Sequence, residues 1–136
     1  MPSESPAYRR RSYERLFLIE RDRFARTFPR VRDARLHWLV GCSTIACATR
    51  DFAYADQARN IVSISLRVLE YPDANFLGLI LHELGHLADD RINEPGAEAR
   101  ADRLAEQASG LRVYYDALDI ETVMPGIWPR PAHLPR

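Results

Sequence analysis

Residues 82 to 86 read His82-Glu83-Leu84-Gly85-His86, and these are the side chains whose types and spacing can do chemistry. Four residues is little more than one helical turn, so imidazoles at i and i+4 point the same way and can share one Zn²⁺. The glutamate beside the first histidine leans over the open side of such a metal and can take a proton from water held there. The chemistry this spacing serves is hydrolysis of a carbonyl compound by metal-activated water. Such a pentapeptide arises by chance on the order of once in a few hundred chains of this size, so its context has to decide.

A hydrolytic zinc takes three protein ligands and keeps a fourth position for water. The longer pattern H-E-x-x-H-x-x-G-x-x-H is excluded, because Asp89 and Ile92 stand where it needs Gly and His. The two other histidines, His37 in an expected strand and His133 near the C-terminus, are poorly placed, which turns attention to carboxylates. Glu98 lies twelve residues past His86, on what reads as a second helix. Asp102, one turn further, is placed to accept the Nδ1–H of a ligating imidazole and so to set its tautomer. Asp90 shares the face of His86, and Asp89 or Glu94 could reach the site if the turn folds back, so these remain alternatives.

The elements that must position these groups follow from periodicity and punctuation. Winding residues 75–90 as a helix puts Phe76, Leu77, Ile80, Leu81, Leu84, Leu87 and Ala88 on one side and His82, Glu83, His86 and Asp90 on the other, so the histidines are expected on the face away from the core. Gly85 costs this helix about 1 kcal/mol relative to Ala, which a close approach of another element would offset. Pro95 is expected to open the next helix and Gly110 to end it, and Ala101 and Ala105 would let it pack closely on the first. Upstream, Tyr13, Leu16, Phe17, Ile19, Glu20, Phe24 and Phe28 are spaced as an amphipathic helix over residues 6–28, stopped by Pro29. Between them, Leu36–Val40, Ile45–Thr49, Phe52–Ala55 and Asn60–Leu66 read as strands, with a turn at Asp56–Asn60, and their short links predict mostly antiparallel pairing. After Leu111 the pattern frays. Tyr114–Leu118 could add a turn or two, and the prolines make residues 120–136 an extended tail.

The fold class expected is therefore α+β: a single domain over residues 1–136, with an N-terminal helix, a small sheet of three or four strands and two further helices. At 136 residues, 15.6 kDa and 46% hydrophobic residues the chain suits one core. Every cation is an arginine, and residues 1–35 hold ten of the nineteen against five of the nineteen acidic residues. Glu14, Glu20 and Asp22 interrupt that run and no aromatic-basic motif accompanies it, so no nucleic-acid partner is expected. The longest apolar stretch, Phe76 to Leu81, is far too short to cross a bilayer, and no signal peptide is recognisable, so the expectation is a soluble cytoplasmic protein without a membrane partner. Cys42 and Cys47 are read as buried thiols.

H-E-x-x-H followed by Glu98-Ala99-Arg100-Ala101-Asp102, an E-x-x-x-D pattern, resembles the gluzincin clan of zinc metallopeptidases, and at this size most closely the single-domain minigluzincins. Ile64-Ser65-Leu66 and the E-x-x-A-D-x-x-A run from Glu98 to Ala105 are also similar to compact proteases that cleave bacterial repressors. The resemblance covers residues 60–106. It implies a compact zincin-like fold with an active-site helix and a glutamate helix, His82, His86 and Glu98 as ligands of one Zn²⁺, Glu83 as general base and Asp102 as the residue orienting a ligand. It further implies an oxyanion stabiliser from beyond the glutamate helix, for which Tyr114, Tyr115 and His133 are candidates, and latency imposed by the C-terminal tail through Asp119, Glu121 or His133. The substrate implied is a peptide or protein, added as a strand to an edge such as Phe52–Ala55. The competing reading is a zinc-binding module of the same fold that has lost peptidase action and serves as a protein-interaction or regulatory domain.

Overall fold

Ser5 opens the first helix, α1 (Pro6–Ala25), by accepting the Tyr8 N–H on its hydroxyl at 3.1 Å, with Pro6 in the first turn, where its missing N–H leaves no bond unmade. The computed structural model describes residues 5–39, 53–70, 73–91, 94–113 and 129–131. Tyr13, Phe17, Glu20 and Phe24 recur at helical spacing and are buried. Ile19, grouped by spacing with the apolar residues, is instead exposed together with Leu18 and Tyr8, because the stripe that meets the core is only one residue wide here. The helix stops at Ala25, three residues before the expected end, where the Arg26 N–H turns back to the carbonyls of Arg23 and Phe24, and Pro29 begins a 3-10 turn (Pro29–Val31). Its arginines have structural partners: Arg9 donates to the Leu69 carbonyl and the Tyr13 hydroxyl, and Arg21 donates to the Ala34 carbonyl at 3.2 Å.

Three strands form the main sheet in the order β1-β3-β2, with β1 at Arg35–Leu39, β2 at Ala53–Asp56 and β3 at Ile61–Ser65. β2 and β3 form the expected antiparallel hairpin, closed by a turn in which Asn60 takes a left-handed φ of 57° and the Arg59 N–H donates to Asp56 Oδ1 at 3.1 Å. β1 and β3, however, run parallel, with Trp38 opposite Ile64. The sheet is mixed rather than mostly antiparallel. β3 is the most apolar strand and buries both faces, so it takes the centre, and β1 pairs with it rather than with its nearer sequence neighbour. Val62 and Ile64 of β3 face the helices with Leu36 and Trp38 of β1 and Ala53 and Ala55 of β2.

The second helix, α2 (Asp73–Ala88), lies between this sheet and α1, where Phe76 stacks on Tyr13 with ring centroids 4.0 Å apart. The third, α3 (Ala97–Ser109), packs along its other side. α3 begins two residues after Pro95, at a Gly96 cap with φ of 87°, and ends as expected at Gly110, with φ of 75°. β4 (Leu111–Val113) then pairs antiparallel with β5 (Pro129–Pro131), so part of the expected free tail returns to form a ribbon that lies against α2 and α3. Its prolines are compatible with a two-stranded ribbon, where half the N–H groups need no partner. Buried residues of α1, β1, β3 and α2, with Ala105 of α3, make one hydrophobic cluster. The architecture is α+β, and among the described residues no helix is long and apolar enough to cross a membrane. The expected strand Ile45–Thr49, Phe52, both cysteines and residues 114–128 lie outside the described residues, and with them Tyr114, Tyr115, Asp119 and Glu121; so does His133.

Candidate metal centre

α2 is buried almost all round. The face that carries His82, Glu83 and His86 is covered by α3, so His82 is only 1% exposed and Glu83 is buried, where sequence periodicity put them on the side away from the core. The apolar face meets the sheet and α1, and the polar face meets a second helix, which periodicity within one helix cannot report.

Close helix packing makes the site possible. A Cβ placed on Gly85 would stand 2.2 Å from the Ala101 carbonyl oxygen and 3.0 Å from its Cα, so only glycine lets α3 come this near. Ala101 and Ala105 are fully buried against it. The propensity cost of Gly85 is thus offset by the approach it permits.

At that separation three side chains converge. His82 Nε2 lies 3.0 Å from Glu98 Oε1, His86 Nε2 lies 3.2 Å from Glu98 Oε2, and the two Nε2 atoms are 3.2 Å apart, with the imidazoles edge to face. One donor atom from each residue falls within 4.8 Å of the others, close enough to hold one metal ion. Donors held about 2.1 Å from a tetrahedral metal stand about 3.4 Å apart; the two Nε2 atoms are close to that spacing, and each faces a different oxygen of the Glu98 carboxylate. The charge distribution points the same way. Asp102 Oδ1 accepts from His82 Nδ1 at 2.7 Å, which leaves the His82 Nε2 lone pair facing another ring nitrogen and a carboxylate. A neutral His82 would thus face Glu98 acceptor to acceptor, so a proton or a metal ion belongs between them.

Without metal the cation is a proton. Burial opposes charge on His82, but hydrogen bonds to Asp102 and Glu98 and the charge of Glu83 outweigh it and push its pKa up to about 10. The same contacts, from His82 and His86, hold the Glu98 carboxyl well below the usual range. Glu98 is half exposed, His86 partly buried and His82 buried, so the donor set opens on its Glu98 side.

The competing carboxylates are accounted for. Asp89 is buried and bonded to Arg100 and to the Arg91 N–H, which hold its pKa low despite its burial. Asp90 is exposed outside the cluster, and Glu94 is paired with Arg91 at 3.7 Å on the surface. Sequence reading missed Arg100 and Gln57: the first ties the α2–α3 turn together, and the second donates its side-chain amide to the carbonyls of His86 and Asp89. Nothing local marked either, since burial of Arg100 appears only once the turn is folded. No protein-family model, curated protein or solved structure matches the chain, so the site is judged on its own atoms.

Proposed function

We propose that this protein is a zinc-dependent metallopeptidase of the gluzincin type, with His82, His86 and Glu98 as the ligands of one Zn²⁺ and Glu83 as general base. The observation that carries the reading is the convergence of His82, His86 and Glu98 from two helices, with one ligand atom of each within 4.8 Å of the others and a buried glutamate beside one of the histidines. Zinc is favoured over harder cations because two of the three donors are imidazoles. When bound it supplies a Lewis-acidic centre that lowers the pKa of water from 15.7 toward about 7 and polarises a carbonyl.

The rest falls to the chain. Glu83 accepts the proton of the attacking water and returns it to the departing amine. Asp102 holds the Nδ1–H of His82, keeping the Nε2 lone pair aimed at the ligand position and raising its basicity. β2 lies beside α2 and, among the described residues, forms an edge of the three-stranded sheet, so an extended peptide can add to it.

A zinc-binding module without catalysis would need the three ligands but not Glu83. Purified protein should hold one zinc and cleave an unfolded protein such as reduced casein. Glu83→Gln should bind zinc within about twofold of wild type while cleaving about 10²- to 10⁴-fold more slowly. A zinc-loaded wild type that cleaves nothing, or that Glu83→Gln equals, decides for the module.

A further inference from the structure

The metal donors come from two helices, so their spacing depends on what fixes the start of α3 against the end of α2. Glu98 sits in the first turn of α3 and is half exposed, and its own side chain has little packing to hold it. Two residues along a helix turn by about 200°, so Arg100 leaves α3 on the side opposite Glu98, while Asp102 comes back to the side of Glu98.

Arg100 is 7% exposed and its donors are directed at the turn between the helices. Nε donates to Asp89 Oδ2 at 2.9 Å, Nη1 to the Pro95 carbonyl at 2.6 Å, and Nη2 to the carbonyls of Arg91 and Glu94 at 2.6 and 3.0 Å. The second oxygen of Asp89 accepts the Arg91 N–H at 2.9 Å. Gln57, at the end of the β2 edge, grips the carbonyls of His86 and Asp89. A continuous set of polar contacts therefore runs from the sheet to the last turn of α2, through the connecting turn, and into the first turn of α3.

Burying an ion pair yields little net stability, because desolvation consumes most of the attraction; its use is to define one geometry. Here the geometry defined is the placement of Glu98. We infer that Arg100, acting through Asp89 and the carbonyls of the turn, is a positioning residue for the metal centre, holding Glu98 at the distance from His82 and His86 that a metal ion requires. The inference rests on the metal-ligand reading of those three residues. A planar fork with several donors suits the role, and a lysine, with one point charge, cannot reach the same acceptors together.

The test uses the full chain, with Zn²⁺ affinity from chelator competition, the visible spectrum of the Co²⁺-loaded protein, and melting of the metal-free form. Arg100→Met and Asp89→Asn should bind Zn²⁺ about tenfold or more weakly and give altered Co²⁺ bands, as loss of groups supporting a ligand does. Arg100→Lys should not restore either property. Phe24→Leu, a core change in α1, should lower the melting temperature without moving metal affinity or spectrum, which separates positioning from general stability. Should Arg100→Met fail to fold, Asp89→Asn, which is nearly isosteric, carries the test. Zn²⁺ binding within twofold of wild type together with an unchanged Co²⁺ spectrum in the folded variants overturns the positioning role. A wild type that binds no Zn²⁺, or that His82→Ala matches, overturns the metal reading beneath it.

Discussion

At the turn between α2 and α3, Asp89 meets Arg100; one to two turns back along α2, His82 and His86 meet Glu98, which leaves the first turn of α3 on the side opposite Arg100. Both clusters join a carboxylate of one helix to a basic group of the other, yet they differ in what they lack. The Arg100 guanidinium brings a permanent charge, and its donors reach one carboxylate oxygen and three carbonyls. In the histidine cluster a neutral His82 would face Glu98 acceptor to acceptor, and a proton or a metal ion belongs between them. A polar cluster balanced by its own charges is complete as it stands, whereas the histidine group is close enough to take a metal ion from outside.

That contrast can be broken most sharply from the binding side. On the proposed ligand set, His82→Ala removes one of the three ligands, and Zn²⁺ affinity by chelator competition is expected to fall at least about 1000-fold, far beyond the effect of Arg100→Met, since a direct ligand would be lost rather than a support. An equal effect of the two changes would erase the distinction between the clusters.

Gly85→Ala strikes both clusters together. Its methyl group would meet the Ala101 carbonyl oxygen at 2.2 Å, backbone that has little room to give, so the helices must separate. About 3 kcal/mol of destabilisation is expected in urea titration, against the propensity gain of about 1 kcal/mol that alanine brings to an unconstrained helix. A stabilised Gly85→Ala protein would mean that the two helices pack less closely than the structure shows.

The third effect is in pH. The pKa of His82 in the metal-free fold is raised from the ordinary 6.5 to about 10, so its contribution to stability is complete below about pH 6.5 and is lost as pH rises through about 10. The melting temperature of the metal-free protein should therefore fall across this interval more than that of His82→Ala, whereas zinc-saturated protein, in which the metal replaces the proton, should not show that difference. Identical pH profiles for the metal-free protein and His82→Ala would place the shared proton elsewhere.

How much of this was legible before folding depends on sequence distance. The end of α3 at Gly110 and the need for a close neighbour at Gly85 are each local statements about a single helix, and the structure bears them out. Pairing Glu98 with the histidines required only that two adjacent helices lie antiparallel across a short turn, and those donors do converge. The parallel alignment of β1 with β3 was not legible, because it depends on which strand is apolar on both faces and wins the centre. Nor was the burial of His82 and Glu83, because the helix that covers them belongs to a different periodic pattern. Arg100 read as one more charge in an arginine-rich chain until the turn folded around it.

The sequence by itself determined the chemistry on offer: two imidazoles one turn apart, a glutamate between them, and a carboxylate twelve residues on, since residue type and helical period are enough to specify donors and their direction. Only the tertiary structure decided that these donors meet at 3.0–3.2 Å, that Asp102 takes Nδ1 of His82, and that Asp89 serves Arg100. Distances between helices are set by what packs and pairs between them, a glycine facing a carbonyl and a guanidinium filling a turn, and no run of letters read along one element contains those contacts.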